Sequence, residues 1–358
     1  MSSIKTSKNR FPDKNRGVFF IAEAGCNFEG DLNRAKEMIK MAARGGADAI
    51  KFQTFIPEKL VTRDAPKFWD IKGCPGETQF AEFSQTPRLA FEDYIELKKF
   101  SEKNNIFFFS TPSDEDSVDL LEEVGVPFYK ISSMDITHIP LIKHIAKTGK
   151  PIILSTGAST ISEIRDAVAV IESGGNKDIT LLHCITNYPT RIANVNLTMI
   201  QEIKEVFPNY AVGYSDHTKM PKSTCVIGAA VALGASVIEK HFTFDKRRLG
   251  FDHEISMDYH DLKEISQTIR IVRQCLGERT KSSVKSELKS RKWARRSIVT
   301  SVPILKDTRI TAEMISIKRP GTGIEPKYID EVIGSCAKRD IPEDKVIRWT
   351  MINHDGKR

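Results

Sequence analysis

The sequence predicts a (β/α)8 TIM barrel followed by a small β-rich domain, and three observations predict it. Eight short apolar runs alternate strictly with stretches of helical period. Nearly every run turns ionisable or hydroxylic at its C-terminal end, the rim at which such barrels carry their chemistry. The alternation then stops at Gly277, and the apolar runs beyond it are short. A doubly wound open sheet also alternates, but it usually has fewer strands and a glycine-rich dinucleotide turn. No G-x-G-x-x-G follows the first run.

Bulk properties agree. The chain has 358 residues, 40% hydrophobic and 28% charged, an ordinary globular composition. That length suits one barrel of about 250 residues with a small extra domain. No apolar run approaches the ~20 residues that span a bilayer, and residues 1–17 read as a polar, basic tail without the apolar centre of a signal peptide. The expectation is a cytoplasmic protein with no membrane contact. A net charge of +7 suits a small anionic substrate. Its basic residues are scattered and no nucleic-acid motif appears, so nucleic acid is not an expected partner. The six cysteines are far apart, with no C-x-x-C pair, which argues for reduced thiols. Cys184, beside His183, reads as a buried strand cysteine rather than a nucleophile.

In chain order, the first strand spans 18–25 and ends in Glu23 and Gly25. Residues 31–44 have helical spacing, with Leu32, Ala35, Met38, Ile39 and Ala42 on one face, and Gly45-Gly46 closes the helix. Strand 49–55 puts Lys51 and Gln53 on one face and Phe52 on the other. Residues 56–86 have no clear period, and a loop this long is usually a functional lid or an ordered excursion. A helix over 87–104 and a strand over 106–112, ending in Ser110 and Thr111, follow. Ser113 is the expected N-cap of helix 114–123. Strand 128–135 crowds Lys130, Ser132, Ser133 and Asp135 at its end. Then come helix 139–147, strand 151–157 with Ser155, helix 161–173, and strand 179–185 running into Tyr188. Helix 197–206 leads to strands 211–217 and 236–243, separated by helix 222–233. Helix 258–276 completes a barrel domain of 18–277. Residues 278–296 are polar and very basic and read as a linker. Residues 297–358 form the small domain, near the lower size limit for folding alone, and are expected to pack on their own barrel or a partner's.

The last two strands carry the densest chemistry. Residues i and i+2 share a face of a strand, so Ser215 and His217 point together, as do Glu239 and His241. A lone histidine at a strand end is more often a hydrogen-bonded structural residue than a ligand. Two on neighbouring strands, beside a carboxylate, could hold a divalent metal. Elsewhere on the rim, lysines and hydroxyls suit a phosphate and a carboxylate. A metal, a phosphate site and acidic groups together suggest carbon–carbon bond formation with a phosphorylated or carboxylated donor.

At this point a resemblance is specific. IAEAGCNFEGD, ADAIKFQTF, FFSTPSDEDSVDLL, YKISSMDITH, GKPIILSTGAS, HCITNYPT, VGYSDHT, GASVIEKHFT and GFDHEISMD resemble the successive motifs of the sialic acid synthase family. KRPGTGIEP resembles that family's C-terminal antifreeze-like (SAF) domain. The match runs in order over roughly 18–352. The resemblance implies a metal-dependent barrel, using Mn2+ or Mg2+, that condenses phosphoenolpyruvate with N-acetylmannosamine or a related amino sugar. It implies a domain-swapped homodimer in which one subunit's C-terminal domain caps the other's barrel. By motif, His217 and His241 match the metal ligands. Lys51, Thr111, Lys130, Ser133, Ser155 and Ser215 match the phosphoenolpyruvate site. Gln53, Tyr188, Asp252 and Glu239 match sugar contacts, Arg319 matches the arginine delivered by the partner, and Glu23 matches a carboxylate near metal and water. Glu23 or Asp135 would position the water that attacks carbon 2.

Two departures bear on the acceptor. The family's first motif usually reads N-H-N-G, where this chain has Asn27-Phe-Glu-Gly30. Its fourth strand usually ends S-G-E, where this chain has Ser133-Met-Asp135. Asp is one methylene shorter than Glu, and Met134 narrows the same corner. A different sugar, such as a diacetamido hexose leading to legionaminic or pseudaminic acid, would fit such changes, and GFDHEISMD resembles the sialic and legionaminic branches more than the pseudaminic one. Two rivals stand beside this reading. A Schiff-base aldolase would use Lys130 as nucleophile, and a non-catalytic carbohydrate-binding homologue would have a decayed site.

Overall fold

In a computed structural model, residues 17–69 and 73–353 are described, and the chain divides into two compact units after Gly277. Apart from Gly17, the expected N-terminal tail lies outside the described residues.

The first unit is a parallel barrel. Its strands are β1 (Phe19–Gly25), β2 (Ala49–Thr54), β3 (Phe107–Pro112), β4 (Tyr129–Ile131), β5 (Ile152–Ser155), β6 (Ile179–Cys184), β7 (Ala211–Asp216) and β8 (Val237–His241). They form one eight-stranded sheet in the order β3-β2-β1-β8-β7-β6-β5-β4. β3 and β4, the two ends of that order, lie side by side, so the sheet curls into a nearly closed ring. The Phe109 and Phe128 rings meet across that seam at 4.5 Å.

The helices are α1 (Leu32–Gly45), α2 (Pro57–Leu60), α3 (Gln79–Gln85), α4 (Phe91–Lys103), α5 (Glu115–Val124), α6 (Ile139–Lys147), α7 (Ile161–Ser173), α8 (Met199–Val206), α9 (Lys222–Ala232) and α10 (Tyr259–Leu276). α1 shows how sequence becomes structure here. Asp31 caps its N-terminus by accepting from the Asn33 and Arg34 amides, and Ala35, Met38, Ile39 and Ala42 are buried. Gly46 ends it at φ 97°, a left-handed conformation that costs glycine no steric clash. Side chains such as Ile21, Ile50, Phe109, Leu154, Leu181 and Ile238 are fully buried. Each contributes about 1.5–3 kcal/mol by leaving water.

Strand register sets the height of the rim residues. Glu23 on β1 is level with Lys51 on β2 and with His241 on β8. Gln53 is level with Thr111, and Ser215 with Glu239.

Several boundaries differ from the sequence expectation. The aperiodic stretch 56–86 holds two short helices, α2 and α3. The helix expected from residue 87 starts at Phe91, because Asp93 accepts from the Ala90 amide and closes the first turn there. Asp114, not Ser113, caps α5, its carboxylate accepting from the Ser117 amide at 2.9 Å. β4 stops at Ile131, and Ser133–Asp135 is one turn of 3-10 helix.

The second unit spans 278–353 of the described chain. The basic stretch read as a linker contains α11 (Leu288–Ala294), which belongs to this unit. The Lys292 carbonyl accepts from the Gly321 amide at 2.9 Å, a long-range bond that sequence periodicity does not reveal. Two antiparallel pairs follow: β9 (Ser297–Thr300) with β10 (Ile315–Lys318), and β11 (Cys336–Ala337) with β12 (Ile352–Asn353). The short helix α12 (Ile329–Val332) lies between them in sequence. A compact core of Ile298, Ile304, Ile310, Ile324, Ile341, Ile347 and Ile352 holds the unit together. Arg319 directly follows β10 and is exposed.

Candidate active site

At the C-terminal rim of the barrel lies a cavity of about 270 Å3. Every barrel residue given a site role above lines it: Glu23, Lys51, Gln53, Thr111, Lys130, Ser133, Asp135, Ser155, Tyr188, Ser215, His217, Glu239, His241 and Asp252. Arg319 lies in the second unit.

One wall is a buried lattice of charge. Lys51 pairs with Glu23 and donates to Thr111 Oγ1 at 2.9 Å. Lys130 Nζ lies 3.0 Å from Glu239 Oε1, which also accepts from Ser215 Oγ at 3.0 Å. Lys51 reaches the other oxygen of Glu239 at 4.0 Å, so the two carboxylates share one ammonium. Gln53 Nε2 donates to Glu23 at 3.2 Å. Burial raises Glu23 well above the ordinary carboxylate range, with Lys51 opposing only in part. Burial also acts on Glu239, but Lys130 and Lys51 outweigh it and hold that carboxyl below its ordinary value. Burial opposes the Lys51 charge as well, yet Glu23 and Glu239 hold its ammonium above the ordinary lysine value. The wall thus sets two ammoniums, Lys51 and Lys130, between two carboxyls, of which Glu23 holds its proton far more readily than Glu239. Buried ion pairs add little to stability, whereas removing one partner costs about 3–5 kcal/mol. Such a lattice is better explained by an anionic ligand than by the needs of the fold.

The opposite side holds the imidazoles. The His217 and His241 rings are 5.3 Å apart, and Tyr188 packs on His217 at 4.3 Å. His217 Nδ1 lies 2.7 Å from the Ile185 carbonyl. That contact puts the proton on Nδ1 and leaves Nε2 as the free lone pair. Burial depresses His217 to about 4, and burial plus the neighbouring His217 depresses His241 well below its ordinary value. Both rings are therefore neutral, as metal ligation requires. His241 Nδ1 is buried without a hydrogen-bond partner, and Asp252 Oδ2 lies 3.5 Å from it. Burial lifts the Asp252 carboxyl to about 6. Among the described residues no group of three or more His, Cys, Asp or Glu is arranged to hold a metal ion. Two neutral imidazoles, one with an orphaned nitrogen, still fit a divalent ion that takes its other ligands from water or substrate.

The corner beside β4 is occupied by hydroxyls and a thiol. Ser133 Oγ accepts from the Gly157 amide at 2.9 Å and sits 3.1 Å from Cys184 Sγ. A Cβ at Gly157 would lie 2.7 Å from that sulfur, so only glycine fits here. Cys184 is buried and its thiol is pushed up by burial, which disfavours the thiolate a nucleophile needs. Asp135 accepts from Ser132 Oγ at 2.6 Å. Burial raises its carboxyl despite that bond.

Sequence reading marks the 56–86 stretch as a lid or excursion but names none of its residues for the site. Leu60, Phe68, Trp69, Glu82, Phe83 and Thr86 line the cavity from the 56–86 excursion. Phe55 meets Phe83 at 5.3 Å, and Trp69 Nε1 donates to Glu82 at 3.1 Å. The aromatic content of an aperiodic stretch was the available signal. Met134, half exposed, adds another apolar surface.

Comparison with known proteins agrees with this fold. A family model described as "NeuB family" matches residues 38–281, and one described as "SAF domain" matches 295–353. The N,N'-diacetyllegionaminic acid synthase of Campylobacter jejuni is 41% identical, covering 92% of this chain and 99% of that protein. The human N-acetylneuraminate-9-phosphate synthase is 33% identical over 95% of this chain and 94% of its own. Among solved structures, the N-acetylneuraminic acid (sialic acid) synthetase of Leptospira borgpetersenii in complex with citrate is 35% identical. It has a TM-score of 0.69 and covers 77% of this chain and 90% of that one.

Proposed function

Because the chain belongs to the NeuB family and carries a SAF domain, we propose that it condenses phosphoenolpyruvate with an amino-sugar aldehyde and releases phosphate. The observation that carries this reading is the buried lattice of Lys51, Lys130, Glu23 and Glu239, set opposite two neutral imidazoles in one cavity.

Lys51 and Lys130, with the hydroxyls of Thr111, Ser133, Ser155 and Ser215, take the phosphate and carboxylate of phosphoenolpyruvate. Gln53, Tyr188, Glu239 and Asp252 bind the open-chain sugar. His217 and His241 would hold a divalent ion, Mn2+ or Mg2+, which supplies Lewis-acid polarisation of the aldehyde oxygen. Carbon 3 of phosphoenolpyruvate uses its π electrons to bond the aldehyde carbon, leaving a cation at carbon 2, and the aldehyde oxygen takes up the proton that the attacking water releases through Glu23. Water adds to carbon 2 and gives its proton to Glu23, whose raised affinity for protons suits a base working near neutrality. Collapse of the tetrahedral carbon 2 forms the keto group and expels phosphate, whose charge the two lysines stabilise.

The acceptor is best read as an unphosphorylated diacetamido hexose, and the higher identity to a legionaminic acid synthase (41%) than to a pseudaminic acid synthase (34%) favours legionaminic acid as the product. Among the residues lining the cavity the lysines are Lys51 and Lys130, and both are engaged by carboxylates. Among the described residues of the barrel, no third ammonium or guanidinium lines the cavity to meet a phosphate on the sugar. Phe68, Trp69, Phe83 and Met134 instead offer apolar surface for acetamido methyls.

Phosphate release from phosphoenolpyruvate tests the reading, using N-acetylmannosamine, its 6-phosphate and the diacetamido hexoses, each with manganese and with EDTA. Release with a diacetamido hexose that EDTA abolishes is expected. No release with any acceptor from folded, metal-loaded protein would overturn it. Chelator-resistant activity with borohydride trapping at Lys130 would favour the aldolase chemistry instead.

A further inference from the structure

The loop that carries Asp252 leaves β8 and returns to α10, and its own geometry does not hold it in place. Gly250 and Phe251 are consecutive left-handed residues, at φ 81° and 46°. Phe251 pays a steric cost there, and such a conformation persists only where the surroundings over-determine it.

The surroundings are supplied by the turn between β1 and α1. Glu29 sits in that turn, itself left-handed at φ 53°. Its carboxylate takes both ends of the Arg248 guanidinium and lies 3.1 Å from His253 Nε2. The other nitrogen of His253 is bonded to Thr243 Oγ1 at 2.7 Å. Arg34, from α1, completes the cluster on Glu29 at 2.7 Å. The Arg34 and Arg248 guanidiniums also lie over the Phe244 ring, at 4.5 and 5.3 Å. Beside Glu29, Asn27 donates to the Phe242 carbonyl and accepts from the Asp252 amide. One carboxylate thus ties both halves of the loop to the barrel, on either side of its left-handed kink.

We propose that Glu29 is a positioning residue that pins the loop of residues 243–256 to the β1–α1 turn and so sets Asp252 beside His241. Glu29 stands where the family motif usually has asparagine, which could not offer two oxygens to an arginine fork.

Trypsin provides a test that needs no substrate, since Lys246, Arg247 and Arg248 lie in the loop and the Arg247 side chain is 88% exposed. Nicking after Lys246 and Arg247, located by mass spectrometry, is expected to be about tenfold faster in Glu29→Gln and Arg248→Met than in the parent protein. Arg248→Lys should restore part of the protection. A kinetic arm rests on the proposed function. There the Michaelis constant for the acceptor sugar should rise about tenfold, while that for phosphoenolpyruvate stays within about twofold. Unchanged nicking in both variants overturns the proposal, as does an equal rise in both Michaelis constants. If the parent turns over no acceptor, the proposed function fails and the nicking rates still decide the role of Glu29.

Discussion

Glu23 and Asp135 are both carboxyls in one cavity, yet their surroundings give them different work. Glu23 is raised by burial and shares Lys51 with Glu239, while Asp135 is turned back onto Ser132 in its own 3-10 turn. Glu23→Gln is therefore expected to lower kcat by about 10²–10⁴-fold, the usual worth of a general base. Asp135→Asn should cost only about tenfold, and steady-state phosphate release separates the two. The imidazoles make a second residue-scale prediction. His217→Ala or His241→Ala should abolish both EDTA-sensitive turnover and stoichiometric manganese binding, with an unchanged circular dichroism spectrum. Retained metal binding in either variant would remove that histidine as a ligand.

At the scale of elements, short strands in parallel register do the organising. Glu23, Lys51 and His241 meet because β1 pairs with β2 and β8 at one height. A one-residue slip would turn those side chains to the other face. Other polar residues of these strands serve the fold. His183 on β6 bonds the Val195 carbonyl at 2.9 Å and stacks on Tyr214, and burial holds it below the ordinary histidine value. A histidine kept neutral by folding takes up its proton more readily when unfolded. Stability should therefore fall as pH drops through and below its unfolded value of roughly 6.5. Denaturant midpoints at pH 7.5 and 5.5 should move less in His183→Gln than in the parent, about those two buffers as working choices. An equal shift in both would assign the acid sensitivity to other groups.

For the whole molecule, a second subunit enters the proposal. Arg319 is exposed in a unit separate from the barrel, and the proposal is that a partner subunit's second unit delivers it in a swapped dimer. Arg319→Ala and His217→Ala should each be inactive alone. Mixed and re-annealed in equal amounts they should recover about a quarter of parental activity, since half the dimers are mixed and each holds one intact site. Absence of recovery in a confirmed mixed dimer would place the arginine's action within its own subunit.

The sequence by itself determined the barrel, because short continuous apolar runs and 3.6-period amphipathic helices are local signals. It also determined which strand ends turn polar, from Glu23 to His241, and the structure brings those side chains to one cavity. Tertiary structure decided what no local pattern encodes. The Ser132 bond that turns Asp135 aside, the aromatic wall from residues 56–86, and the helix within the basic stretch 278–296 all depend on contacts distant in sequence or on side-chain direction. Glu29 makes the contrast plainest. In the sequence it is one acidic residue in a turn, and only folding brings Arg248 and His253, more than 200 positions away, onto its two oxygens.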